Sequence, residues 1–157
     1  VSRRSFLSQL AAFPLLAFAN FDSASGAQVA PSPGRGKSLN IMMKSAWGSD
    51  DPTKAAFPFL HGLALAEAGH SVQIFLLGEA VGLMRKSTAE AVVPVGWPPL
   101  AQTLEKVSAR KIQIFACGAC SRARGVLEAD LANYGAKYGN PTIFVGLVEW
   151  ADRLITE

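Results

Sequence analysis

Apolar residues recur along this chain with two different periods. Leu39-Asn40-Ile41-Met42-Met43 and Val72 to Leu77 are short, dense apolar runs, as expected of strands covered on both faces. Ile112 to Ala116 is a third such run, and Arg153 to Thr156 forms a short last strand. Between these runs the period lengthens. Asp50-Asp51-Pro52 opens a helix, because an aspartate can accept from free backbone N–H groups and proline suits the first helical position. This helix reaches about Ala68, where Gly69 supplies a left-handed terminator, and Pro58 inside it predicts a kink or local opening. Glu79 to Arg85 reads as a short helix and Lys86 to Pro99 as a long loop carrying Trp97. Leu100, Leu104 and Val107 fall on one helical face, Ser121 to Asn133 is helical in composition, and Ile143, Phe144, Leu147, Val148 and Ala151 again repeat at helical spacing. No internal repeat is seen.

Strands alternating with helices predict an α/β fold, with a parallel sheet and helices on both faces. The working crevice of such a sheet lies beyond the carboxyl ends of its strands. Three segments reach that edge: Ser45 to Asp51, Gly78-Glu79, and Cys117 to Cys120.

Composition narrows the choice. The 157 residues suffice for one domain, or one domain plus a tail; 50% are hydrophobic and 17% charged, so a sizeable core is expected. The net charge of +3 is small and no run of five like charges occurs, so no nucleic-acid groove is predicted.

The first residues follow a different plan. Arg3-Arg4 precede an apolar run from Leu10 to Ala19, and small residues end near Ser25-Gly26-Ala27. Charged region, apolar region and small-residue cleavage site are the parts of an export signal. Arg3-Arg4 followed by Ser5-Phe6-Leu7 resembles the twin-arginine type, which implies a periplasmic protein; an ordinary secretory signal or an uncleaved anchor shares the other features. The apolar run is short for a bilayer span and Pro14 interrupts it, so membrane contact is expected only through this signal. The expected division is residues 1–27 as export signal, 28–37 as linker and 38–157 as the folded domain. Gly34 to Ser38, Gly-Arg-Gly-Lys-Ser, looks like the end of a phosphate-binding loop. Pro31 occupies the place of its first glycine, and the segment precedes a strand rather than following one.

The candidate chemistry is Cys117-Gly118-Ala119-Cys120. A helix start stabilises a thiolate through free amides and the aligned backbone dipole, and Arg122 and Arg124 add positive charge. The same spacing also fits buried packing or a small static disulfide. A closed zinc site needs four ligands, and one chain offers only these cysteines with His61 and His70, so a metal would require a second subunit. No metal and no cofactor are expected.

The segments Asp50 to Val81, Gly96 to Leu100, Ile114 to Gly125 and Leu147 to Thr156, in this order and spacing, resemble the DsrE/DsrF-like family. The resemblance spans about Leu39 to Thr156. It implies a three-layer α/β/α domain with a mainly parallel sheet of about five strands, assembly into trimers or hexamers, and sulfur carriage on one cysteine. That cysteine corresponds to Cys117, with Cys120 resolving a persulfide or forming a disulfide. An export signal departs from the cytoplasmic sulfur-relay members, so their partners do not carry over, and the sulfane-sulfur donor and acceptor stay open.

Three functions remain in view. The first is persulfide transfer, with Cys117 as nucleophile, Cys120 assisting, and the Gly118 amide and Arg122 steadying the anion. The second is a non-catalytic assembly module with a structural Cys117–Cys120 disulfide. The third is a thiol–disulfide oxidoreductase, although the tryptophan of thioredoxin-type sites is missing before the pair. Ser45, Asp50, Glu79 and Arg124 join Gly118 and Arg122 as candidate binding residues at the crevice. For Asp50 and Asp51 helix capping is the simpler role, and for Glu79 an interaction with a helix dipole. Trp47 and Trp97 fit a pocket wall, a subunit contact or the core equally well. His61 is expected on a helix face, and no role is assigned to Lys137 or Tyr138.

Overall fold

The computed structural model describes residues 36–157. The expected export signal and residues 28–35 of the expected linker lie outside the described residues. Among the described residues, no helix is long and apolar enough to cross a membrane.

The chain alternates as its periodicity predicts. β1 (Asn40–Ser45), β2 (Ser71–Leu76), β3 (Gln113–Cys117), β4 (Lys137–Gly139) and β5 (Arg153–Thr156) form one sheet in the order β4-β3-β2-β1-β5. Every neighbouring pair is parallel. The helices are α1 (Pro52–Glu67), α2 (Lys86–Ala91), α3 (Leu100–Ala109), α4 (Gly118–Ala123), α5 (Glu128–Ala132) and α6 (Pro141–Trp150), with a 3-10 helix at Gly78–Met84. Parallel pairing puts every strand-to-helix turn on one edge of the sheet, which is how β2 and β3 bring Gly78 and Gly118 together.

Two helices start by the same device. Asp51 accepts from the Lys54 amide at 3.0 Å with Pro52 next, and Asn140 accepts from the Ile143 amide at 2.9 Å with Pro141 next. Each side chain satisfies a backbone donor that the helix leaves open, and each proline stands where no donor is needed. α1 runs unbroken through Pro58.

The two faces of the sheet are unequal. Ile41, Met43, Ile74, Leu76, Ile114 and Ala116 face α1 and α3 in the larger core, packed with Phe59, Leu104 and Val107. On the other face, Met42 and Phe75 meet Leu147 of α6, with Phe115, Phe144 and Trp150 partly buried around them. α6 is the single helix contributing to this second cluster among the described residues.

Three elements differ from the periodicity. The stretch from Lys86 holds α2 rather than beginning a long loop; only Ala89 of its six residues is buried, so it carries no apolar face to detect. The helix expected over Ser121 to Asn133 is two helices, starting at Gly118 and parted at Gly125, whose φ of +61° is left-handed. β4 lies in a stretch rich in turn-forming residues, and it supplies the fifth strand.

Candidate functional site

Cys117 ends β3 and caps the start of α4, and Cys120 stands in the first turn of that helix. Along β3 the side chains alternate, so Phe115 and Cys117 are half-buried on the α6 side while Ile114 and Ala116 are buried in the larger core. Both cysteines are free thiols, half-buried rather than enclosed.

The two sulfurs are electrostatically unlike. Burial pushes the Cys117 thiol up. The amides of Cys120 and Ala119, the Cys120 thiol and the charge of Arg122 more than offset this, and its pKa falls below the ordinary thiol value. Burial also pushes Cys120 up, and its contact with Cys117 pushes it further. The Gly78 amide, donating to Cys120 Sγ at 3.3 Å, and the charge of Arg124 recover only part. Cys117 is therefore the sulfur that ionises first, and Cys120 holds its proton beside it.

Cys117 opens onto a cleft of ≈ 450 Å³ between the sheet and α6. Phe75, Leu77, Phe144 and Val145 give it apolar walls, and Arg122 is its one charged lining residue among the described residues. Cys117 and Gly139 are directly paired across β3 and β4. A Cβ on Gly139 would stand 2.7 Å from the ring of Phe75, so only glycine leaves room for that ring where it lines the same cleft as Cys117.

The other side of α4 is polar. Arg124 donates to Glu79 through Nε at 3.0 Å and to the Cys120 carbonyl through Nη1 at 3.3 Å, and Arg85 donates to the Arg124 carbonyl. The Arg124 guanidinium holds the Glu79 carboxyl below the usual carboxylate range, and Glu79 in turn raises Arg124. A second cleft of ≈ 370 Å³ lies here, lined by Asp50, Glu79, Arg85 and Arg124 among others. Gly48 packs on Glu79, where a Cβ would meet the Glu79 Cβ at 2.6 Å and its carbonyl oxygen at 3.1 Å.

The candidate residues thus divide into groups. Cys117, Gly118 and Arg122 line the apolar cleft. Cys120 bridges toward the polar side, where Arg124, Glu79 and Asp50 gather. Ser45 lines neither cleft; it is buried, and its hydroxyl accepts from the Trp47 amide at 3.3 Å. His61 stacks on Phe57 and meets Glu157 at 2.8 Å, while His70 accepts from the Leu39 amide at the opposite edge of the sheet. Trp47 lies over Lys54, and Trp97 packs edge-on to Phe57. Among the described residues, no three His, Cys, Asp or Glu side chains cluster as metal ligands would.

The sequence reading missed the cleft walls. By periodicity alone Phe75 and Leu77 are strand residues like their neighbours, and Phe144 and Val145 belong to one helix among several. Asn140-Pro141, a helix start as strong as Asp51-Pro52, was the available signal for where α6 begins.

Fold and site together define a class: a parallel α/β domain with a polarised cysteine pair at its crevice. The DsrE/DsrF-like family model matches residues 41–156, and the chain belongs to that family. The crystal structure of the YchN protein from E. coli superposes with a TM-score of 0.60 at 16% identity, over 76% of this chain and 99% of that one. A conserved protein of unknown function from Bacteroides thetaiotaomicron, BT1422, gives 0.56 at 14% identity, over 75% and 94%. These likenesses establish the fold. No curated protein matches the chain.

Proposed function

We propose that this protein is a sulfur carrier that holds a persulfide on Cys117. The observation that carries the reading is the opposite displacement of two neighbouring thiols, with the more acidic one open to a cleft. The Cys117 thiolate attacks the outer sulfur of a sulfane donor. The donor's bond to that sulfur breaks, its leaving group departs with the electron pair, and the sulfur stays on Cys117. An acceptor thiolate then takes the outer sulfur and Cys117 leaves as thiolate. Alternatively Cys120, once deprotonated, attacks the inner sulfur: the Cys117–Cys120 disulfide forms, the outer sulfur departs as hydrosulfide, and an external dithiol must reduce the disulfide.

The reading extends to place and assembly. Residues 1–27 direct twin-arginine export, and the carrier works in the periplasm. It assembles as a trimer or hexamer of identical chains, a reading supported by exposed apolar residues on the α6 side. Val148 on α6 is 44% exposed, and Leu154, in register with Met42, is 46% exposed.

Reduced protein incubated with polysulfide, thiosulfate or an organic thiosulfonate should gain about 32 Da on Cys117. Cys117→Ser should gain nothing. No gain from any of these donors overturns the reading.

A further inference from the structure

The geometry points to an organic anion as the sulfur donor, a species with an apolar body joined to its negative sulfur group, rather than a small inorganic one. This rests on the sulfur-carrier reading and names the substrate class of the same cleft. The ≈ 450 Å³ cleft at Cys117 is of a size that holds an organic molecule, and an inorganic donor would leave most of it empty. Its walls are the rings of Phe75 and Phe144 with Leu77 and Val145, and among the described residues no carboxylate lines it. Arg122 is the only charged group there, and no carboxylate pairs with it among the described residues. Its Nη1 lies 3.5 Å from the Cβ position of Gly118, directly beside the reactive residue. An anionic head at Arg122 and an apolar body against Phe144 and Val145 place the transferable sulfur at Cys117. The polar cleft on the other side of α4 lacks this character: among the described residues it has no apolar wall, the carboxylates of Asp50 and Glu79 line it, and Glu79 pairs with Arg124.

Two thiosulfonates isolate the apolar body from the chemistry. Benzenethiosulfonate and methanethiosulfonate each carry one negative charge and one transferable sulfur. With either, the Cys117 thiolate attacks that sulfur, the sulfur–sulfur bond breaks, and a sulfinate leaves with the electron pair. Cys117 retains the sulfur as persulfide, with no net oxidation.

The experiment uses the full chain carrying Cys120→Ser, so that the persulfide persists, and follows the mass gain by rapid quench. Each rate is divided by that of 2-mercaptoethanol with the same donor, which removes intrinsic reactivity. Variants are further divided by their alkylation rate with neutral iodoacetamide, which removes changes in thiolate fraction. Benzenethiosulfonate should then exceed methanethiosulfonate by about tenfold or more, the value of a buried apolar group in such a pocket. Val145→Asp, at a position 53% exposed, should bring that ratio toward one. Arg122→Gln should slow both donors several-fold and keep the ratio. A wild-type ratio near one overturns the apolar half of the inference and leaves the carrier reading standing. Equal rates with and without Arg122 overturn the anionic half. Transfer from neither thiosulfonate, with the gain of about 32 Da still seen from polysulfide or thiosulfate, overturns this inference alone. No gain from any of the four donors removes the carrier reading with it.

Discussion

At Cys117 the decision lies between burial and a few neighbouring groups. The amides and thiol of the next turn win, so a sulfur half-hidden from water still ionises early. Below its pKa the thiol is protonated and alkylation slows tenfold per pH unit; above it the rate is level. The midpoint of the Cys117 alkylation profile should therefore lie below that of an unperturbed thiol. Cys120→Ala removes one of the groups that lower it, so the midpoint should move upward, as ultraviolet thiolate absorbance would show. A midpoint unchanged by Cys120→Ala would contradict the pairing. The sequence revealed the cysteine pair at a strand end followed by a helix start, because spacing alone carries that. It concealed the pairing of Glu79 with Arg124, which lie 45 positions apart and meet only because β2 and β3 are neighbours. It also assigned Ser45 to the crevice by its place at a strand end, whereas strand alternation turns that side chain into the protein.

Among the elements, β4 and α6 shape the site, and both depend on single residues. Asn140→Ala deletes the acceptor for the Ile143 amide and should cost about 1 kcal/mol in urea denaturation. Gly139→Ala should cost about 1–3 kcal/mol, since the new methyl group must displace the Phe75 ring or the strand. The same substitution should alter transfer at Cys117, because that ring is part of the cleft; an unchanged stability would show that the ring yields freely. β4 was not legible beforehand because three residues, Lys137-Tyr138-Gly139, are too few to display a period, and two of them are exposed. α2 escaped for a related reason: Lys-Ser-Thr-Ala-Glu-Ala buries a single alanine. The long, strongly patterned α1 and the dense runs of β1 to β3 were legible because burial imposed their periods.

Over the whole molecule, the parallel sheet follows from strands and helices taking turns along the chain, and the crevice position follows from the sheet. The unequal covering of its two faces does not follow, since periodicity does not say to which side a helix returns. One face carries the main core and the other is closed by α6, which leaves Val148 and Leu154 exposed. If these residues join identical chains, Val148→Asp or Leu154→Asp should lower the mass measured by light scattering from that of a trimer or hexamer toward a monomer. An unchanged mass would place the contact elsewhere. The larger core is untouched by either change, so the fold should survive.

The division of labour between the faces has a wider meaning. The wall across the cleft from Cys117 belongs to a helix outside the principal core. If Cys117 carries sulfur as proposed, changes at Val145 would retune which donors fit, whereas Phe144 also packs on Phe75 and changes there would cost stability as well. The larger core on the opposite side of the sheet has no part in that wall, so a change at the exposed Val145 alters the cleft without touching the packing that holds most of the fold.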